Sequence, residues 1–171
     1  GYRAGNATLR LQDMDRDGLQ VSVVYGPLSL GLPIKEPALQ RACYAAWNDW
    51  AVEEFNAVDA DRLCALAFLP ATSPDDAADE LRRCADRGHR GAIIDVFEID
   101  AGDPSWDPLW RAAEETGLPI SIHIKDGTSS GLSYRVGKWQ SAAFATVLPL
   151  QLDEHLATFL FSGALERHPG L

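Results

Sequence analysis

Leu63 to Leu69 is the only stretch of its length that runs apolar without a break (Leu-Cys-Ala-Leu-Ala-Phe-Leu), and it lies between Asp59-Ala-Asp61 and Pro70. Hydrophobic on both faces and too short for a helix, it predicts a parallel strand covered on both sides. Around it the pattern alternates between two periods. Ala7 to Gly18 reads as a helix carrying Leu9, Leu11 and Met14, and Leu19 to Tyr25 as a valine-rich strand stopped by Gly26-Pro27. Glu36 to about Val58 is the strongest helical signal: Leu39, Cys43, Ala46, Trp47, Trp50 and Ala51 form one apolar stripe, which makes the tryptophans core residues. Ser73-Pro74-Asp75-Asp76 supplies a cap, a first-turn proline and two acids to a helix ending at Gly88. Gly91 to Val96 is the next strand.

Ser105 to Lys125 then gives a helix, a short connection and a strand. Asp107 is the expected cap, Pro108 sits where its missing N–H costs nothing, and Gly117-Leu-Pro119 ends the helix. In the strand, Ile120, Ile122 and Ile124 point one way, and Ser121 and His123 the other. A Gly/Ser-rich loop from Asp126 to Gly137 follows, then helical segments from about Trp139 to Arg167, broken at Pro149. The order α-β-α-β-α-β-α-β-α, with later strands recurring about every 28 residues, is that of an α/β fold with a parallel sheet and right-handed crossovers. Four such units fit an open doubly wound sheet or half of an eight-fold barrel. No Gly-x-Gly-x-x-Gly follows a strand, and no phosphate-binding Gly-x-x-x-x-Gly-Lys-Ser/Thr is present, so the nucleotide signature of the open sheet is missing.

Composition narrows the partners. With 171 residues the chain is long enough for one domain with a sizeable core, and its formal net charge of −10 with no basic run argues against nucleic acid and anionic membrane surfaces. No apolar run reaches the length of a membrane span. Cys43, Cys64 and Cys84 form an odd set with no Cys-x-x-Cys pair, which fits reduced thiols in a cytoplasmic protein. The chain opens on Gly1 without a signal peptide and stops at His168-Pro169-Gly170-Leu171, where another strand is due; both ends read as cut.

The candidate chemistry gathers at strand ends, where α/β proteins place their pockets. His123 closes its strand on the polar face, a position that fits either a metal ligand or a core histidine hydrogen-bonded to a neighbour. Asp95 and Glu98 end the preceding strand and can line a pocket, Asp95 by orienting His123; the other reading is a solvated acidic loop. Tyr25, Phe97, Glu98 and Trp106 are candidate substrate contacts, with core or rim packing the alternative for the aromatics. Lys125 fits either a group that offsets a substrate carboxylate or a solvated loop residue. His89, before a strand and away from the expected site, reads as surface, and His155 and His168 carry no expected role.

The ordered set Leu11-Gln-Asp-Met-Asp-Arg-Asp-Gly18, Trp47-Asn-Asp-Trp50, Asp61 to Pro70, Arg90-Gly91, Trp106-Asp-Pro-Leu-Trp110 running into Pro119-Ile-Ser-Ile-His123, and Ser162 to Gly170 resembles the amidohydrolase-related family, the branch that includes aminocarboxymuconate-semialdehyde decarboxylase. The resemblance implies a partial TIM (β/α) barrel of about four parallel strands, barrel strands 2–5, spanning residues 1–171. It also implies a divalent metal, zinc being the expected ion, at the carboxyl ends of the strands. In that family a His-x-His on the first strand, a His ending the fifth and an Asp on the eighth hold the metal, and a sixth-strand His moves protons. Only the fifth-strand ligand maps here, onto His123; the other ligands and the catalytic acid or base are expected outside this chain, so the fragment alone should be inactive.

The implied activity of the intact protein is hydrolysis, using metal-bound hydroxide, or non-oxidative decarboxylation of a small aromatic or carboxylate-bearing molecule, using a polarised substrate oxygen. The partner is therefore a small molecule, and self-association is one way to cover the open strand edges. The competing reading is a non-catalytic α/β interaction module in which His123 is structural; a His-x-His upstream of Gly1 separates the two.

Overall fold

A computed structural model describes residues 3, 5–26, 34, 36–96, 99–123 and 138–171. The strands are β1 (Ser22–Val24), β2 (Leu63–Ala65), β3 (Ala67–Leu69), β4 (Ala92–Ile94) and β5 (Ile120–Ile122). All pairings are parallel: β1 with β2, β3 with β4, β4 with β5. Because β2 and β3 are the two halves of the apolar run 63–69, the strands form one arc in the order β1, β2/β3, β4, β5. The predicted strands all exist but are shorter than the sequence implied.

The helices are α1 (Ala7–Asp17), α2 (Pro37–Trp50), α3 (Pro74–Asp86), α4 (Asp107–Thr116), α5 (Lys138–Val147), α6 (Asp153–Phe161) and α7 (Ala164–Arg167). Their ends follow the expected capping chemistry. Asn6 accepts from the Leu9 N–H at the start of α1, and Gly18 closes it at φ 72°, a left-handed turn that glycine adopts without strain. Ser73 caps α3 by accepting from the Asp76 N–H. Asp107 is not a cap: Trp106 holds that place, and Asp103 caps the preceding 3-10 turn by accepting from the Ser105 N–H.

Two faces of the arc have different fates. Ala67, Leu69, Ala92 and Ile94, joined by Ile120 and Ile122, pack under Leu81 and Cys84 of α3 and Leu109, Trp110 and Ala113 of α4. Leu63 and Ala65 meet Ala7 and Met14 of α1 on that same side. Having α1, α3 and α4 all on one face is barrel architecture; a doubly wound sheet has helices on both. The fold is a partial (β/α) barrel. The register puts Val23, Cys64, Phe68, Ile93 and Ser121 on the other, inner face.

Between its neighbours the run 63–69 is only partly paired by strands. The Leu66 N–H donates to the Val24 carbonyl on one edge, and the Ala67 N–H to the Gly91 carbonyl on the other. At Phe68, on the β1 edge, Asn48 of α2 substitutes for a strand: its Oδ1 accepts from the Phe68 N–H at 2.7 Å and its Nδ2 donates to the Phe68 carbonyl at 2.9 Å. Asn56 does the same on the β4 edge, accepting from the Ala65 N–H at 2.7 Å and donating to its carbonyl at 3.2 Å. In an α-helix, residues eight apart are offset by about 80°. Here α2 passes into a π turn (Ala51–Phe55) and a 3-10 turn (Asn56–Val58); the wider turn rotates less per residue and brings both amides to the strand.

This overturns the expected buried stripe. Tyr44, Asn48, Ala51 and Phe55 form the buried face of the helix, while Leu39 and Trp50 are exposed and Trp47 is half-buried. His89 is also corrected: only 3% exposed, it sits beneath α2 with Nε2 3.0 Å from the Asn48 carbonyl oxygen, which fixes that nitrogen as the donor. Burial holds its pKa below the usual histidine value. The Asn48 Nδ2 further donates to Glu80 at 2.7 Å. Burial raises that carboxyl, but bonds from Arg83 and Asn48 win and hold it below its ordinary range.

His168, too, has a role. At the end of α7 its ring lies between Glu114 (Nδ1, 2.9 Å) and Asp107 (Nε2, 3.2 Å), and Glu114 also accepts the Gly170 N–H at 2.9 Å. Arg167 bonds both oxygens of Asp107. The chain after Gly163 is thereby pinned to α4.

Replacing Asn48 by leucine leaves the buried Phe68 N–H and carbonyl without partners, and should cost about 2–4 kcal/mol in urea unfolding, with Asn56→Leu behaving alike. The Arg167 pair holds the Asp107 carboxyl below its usual range, and the Gly170 N–H and His168 do so for Glu114. The stability they add is therefore present at neutral pH and lost as pH falls through those lowered values. Hydrogen exchange at residues 164–171 should accelerate on acidification, and Glu114→Gln should flatten that dependence.

Candidate active site

The site is built at the carboxyl ends of the strands. Residues two apart on a strand share a face, so Tyr25 follows Val23, Asp95 follows Ile93 and His123 follows Ser121 onto the inner side. Three of the predicted site residues, on three different strands, thus share one face at one end. Tyr25 and His123 meet directly: their ring centroids are 5.5 Å apart with planes tilted by 56°. The Tyr25 hydroxyl donates to Ser121 Oγ at 3.2 Å. This contact joins the first and last strands of the arc, and only a curled sheet brings them together.

Asp95 stands just past β4, half-buried. Its charge reaches Tyr44, whose phenol is pushed up to about 12, first by burial and then by that carboxylate. Tyr44 in turn packs on Phe68 at 5.4 Å. Trp106 lies apart from the strand mouth in one respect that matters: it is a buried member of the outer cluster with Leu109 and Trp110. Phe97, Glu98, Ile124, Lys125 and residues 27–33 and 126–137 lie outside the described residues.

The backbone at Gly26 sets where Tyr25 emerges. A Cβ there would lie 2.5 Å from the Trp47 ring and 2.6 Å from the Phe68 ring, so the chain leaves β1 pressed against both aromatics. Sequence reasoning took Gly26 as a strand stop and missed this close approach, along with Ser121 as the acceptor for Tyr25.

His123 offers an imidazole at the mouth of the arc, the donor type that zinc, manganese and related ions accept. Among the described residues no group of three His, Cys, Asp or Glu side chains comes together to hold a metal ion. A separate cleft of about 200 Å³ between α2 and α3 is lined by Arg41, Asp76, Asp79, Glu80 and Arg83, whose charges largely pair with one another. Cys43, Cys64 and Cys84 are free thiols, and burial followed by the Glu80 charge pushes the Cys84 thiol up, away from reactivity. Among the described residues no helix is long and apolar enough to cross a membrane.

The amidohydrolase family profile matches residues 11–171. The chain is similar to the gamma-resorcylate decarboxylase of Rhodococcus jostii (strain RHA1), with 28% identity over 95% of this chain and 53% of that protein. It is also similar to the crystal structure of a 2,6-dihydroxybenzoate decarboxylase from Rhizobium, at 28% identity and TM-score 0.74, covering 95% of this chain and 53% of that one. A dihydroxybenzoic acid decarboxylase from Polaromonas sp. JS666, solved with bound manganese and the inhibitor 2-nitroresorcinol, shares the fold at TM-score 0.76 and 19% identity, covering 95% of this chain and 51% of that one. The chain spans about half the length of the curated relatives it matches.

Gly26→Ala should displace the Tyr25 tip or the Trp47–Phe68 pair. The expected result is a loss of about 1–3 kcal/mol in unfolding stability, together with a change in the His123 ring environment seen by NMR.

Proposed function

Because this chain belongs to the amidohydrolase family, we propose that it carries half the barrel of a metal-dependent, non-oxidative decarboxylase acting on a hydroxylated aromatic acid. His123 is one ligand of the divalent ion. The single observation that carries the reading is the position of that histidine, one residue past β5 on the inner face and beside Tyr25. The two relatives at 28% identity are both named as decarboxylases of aromatic acids, which favours carbon dioxide release over hydrolysis.

In this reading each side chain of the site has a separate task. His123 presents a ring nitrogen to the ion, which when bound draws electron density from the substrate's oxygens and stabilises negative charge there. Tyr25 walls the pocket with its ring while Ser121 engages its hydroxyl. Asp95 orients the site from the next strand, and Phe97 and Glu98, which follow it in sequence, are taken as substrate contacts. Trp106, expected as a substrate contact, packs instead in the outer core. Decarboxylation needs a proton delivered to the ring carbon that loses its carboxylate, and the acid that supplies it, with the remaining ligands, lies outside residues 1–171. The ion is taken as zinc for its match to imidazole; manganese, held by the Polaromonas structure, is the other element to assay. A cytoplasmic location is part of this proposal, supported by the free thiols of Cys43, Cys64 and Cys84.

The test is metal analysis of the protein expressed from its complete reading frame, wild type beside His123→Ala. The variant should lose most of its divalent ion and its release of carbon dioxide from 2,6-dihydroxybenzoate, with circular dichroism unchanged. Full metal content in His123→Ala removes the assignment.

A further inference from the structure

We propose that Tyr25 and Ser121 form a clasp that positions the His123 imidazole, so that its orientation is set from the far end of the strand arc. The inference deepens the reading of His123 as a ligand and rests on it for its consequence, although the clasp itself has a readout that needs no metal. Tyr25 is a positioning residue in this scheme, acting through His123.

The geometry is that of a two-point hold. Ser121 and His123 are alternate residues on one face of the same strand end. The Tyr25 side chain reaches both: its hydroxyl is fixed to Ser121 Oγ at 3.2 Å, and its ring leans on the imidazole at 5.5 Å, tilted by 56°. The bond anchors the phenol, and the anchored phenol restricts the neighbouring imidazole. Tyr25 is 42% exposed, so an unanchored phenol at that position would swing its hydroxyl to water.

The tyrosine is held equally well from behind. Gly26 presses the chain against Trp47 and Phe68, and the Phe68 backbone is locked by Asn48. A chain of contacts therefore runs from the buried amide of α2, through the aromatic pair and the β1 tip, to the imidazole. A metal ligand has to be held within about half an ångström and 10–20° of its productive pose, and partners that orient ligand histidines are worth about 10–100-fold in metal affinity.

Three variants of the complete protein test this: Tyr25→Phe keeps the ring and deletes the bond, Ser121→Ala deletes the acceptor, and Tyr25→Leu deletes the ring. In the metal-free state the His123 imidazole signals, assigned by their loss in His123→Ala, should shift in all three and most in Tyr25→Leu, where the ring current disappears. With Mn2+ alone as titrant, affinity should fall about tenfold in Tyr25→Leu and less, by equal amounts, in Tyr25→Phe and Ser121→Ala. The Tyr25→Phe/Ser121→Ala double variant should match either single one. Imidazole signals unchanged in Tyr25→Phe and Ser121→Ala overturn the clasp, even where urea midpoints drop. Shifted signals with wild-type Mn2+ affinity overturn its consequence for the metal, and Mn2+ binding that survives His123→Ala overturns the ligand assignment instead.

Discussion

The backbone of residues 63–69 has to be satisfied on both edges although neither neighbouring strand runs beside its whole length. Buried peptide groups without partners cost enough to unfold a domain of this size. Two asparagines resolve the problem, each making the pair of hydrogen bonds that a strand residue would make. Their amides can do this because they carry a donor and an acceptor at a spacing close to that of a peptide. Leucine or alanine at the same positions would pack but would not pair.

Much else is placed by that arrangement. With Asn48 occupying the edge at Phe68, β1 stops at Val24 and the chain turns away at Gly26. The stop frees Tyr25 from sheet pairing and sends its side chain across the inner face to β5. The helix that carries both asparagines changes its winding between them, which has a cost in helical hydrogen bonding that tertiary contacts offset. The same amide of Asn48 holds Glu80, and its carbonyl receives His89, so the packing of α2, α3 and the approach to β4 is coordinated from one residue.

What could be read from the sequence follows the same division. The strands and the capped helices were legible because apolar alternation, Ser73, Gly18 and Gly117 act locally. The face of β5 was legible for that reason too: Ile120 and Ile122 join the outer cluster, and Ser121 and His123 turn to Tyr25. The buried face of α2 was not, because its key position is a polar residue, and hydrophobic spacing scores an asparagine as solvent-facing. Trp50 and Leu39 looked like core and are exposed. His89 and His168 were missed because their partners, the Asn48 carbonyl and the Glu114 and Asp107 carboxylates, are 41, 54 and 61 positions away, a separation that no local pattern reports.

The histidines show why place decides chemistry. A ligand histidine has to be reachable and to keep a ring nitrogen lone pair for the ion. His89 is 3% exposed, and its Nε2 is committed to a carbonyl. His168 is 4% exposed, with a carboxylate oxygen facing each ring nitrogen. Neither ring is reachable from solvent. His155 sits on α6. His123 stands half-buried at the strand mouth, on the inner face and next to an anchored phenol. Accessibility thus agrees with the proposal that rests on the end of β5.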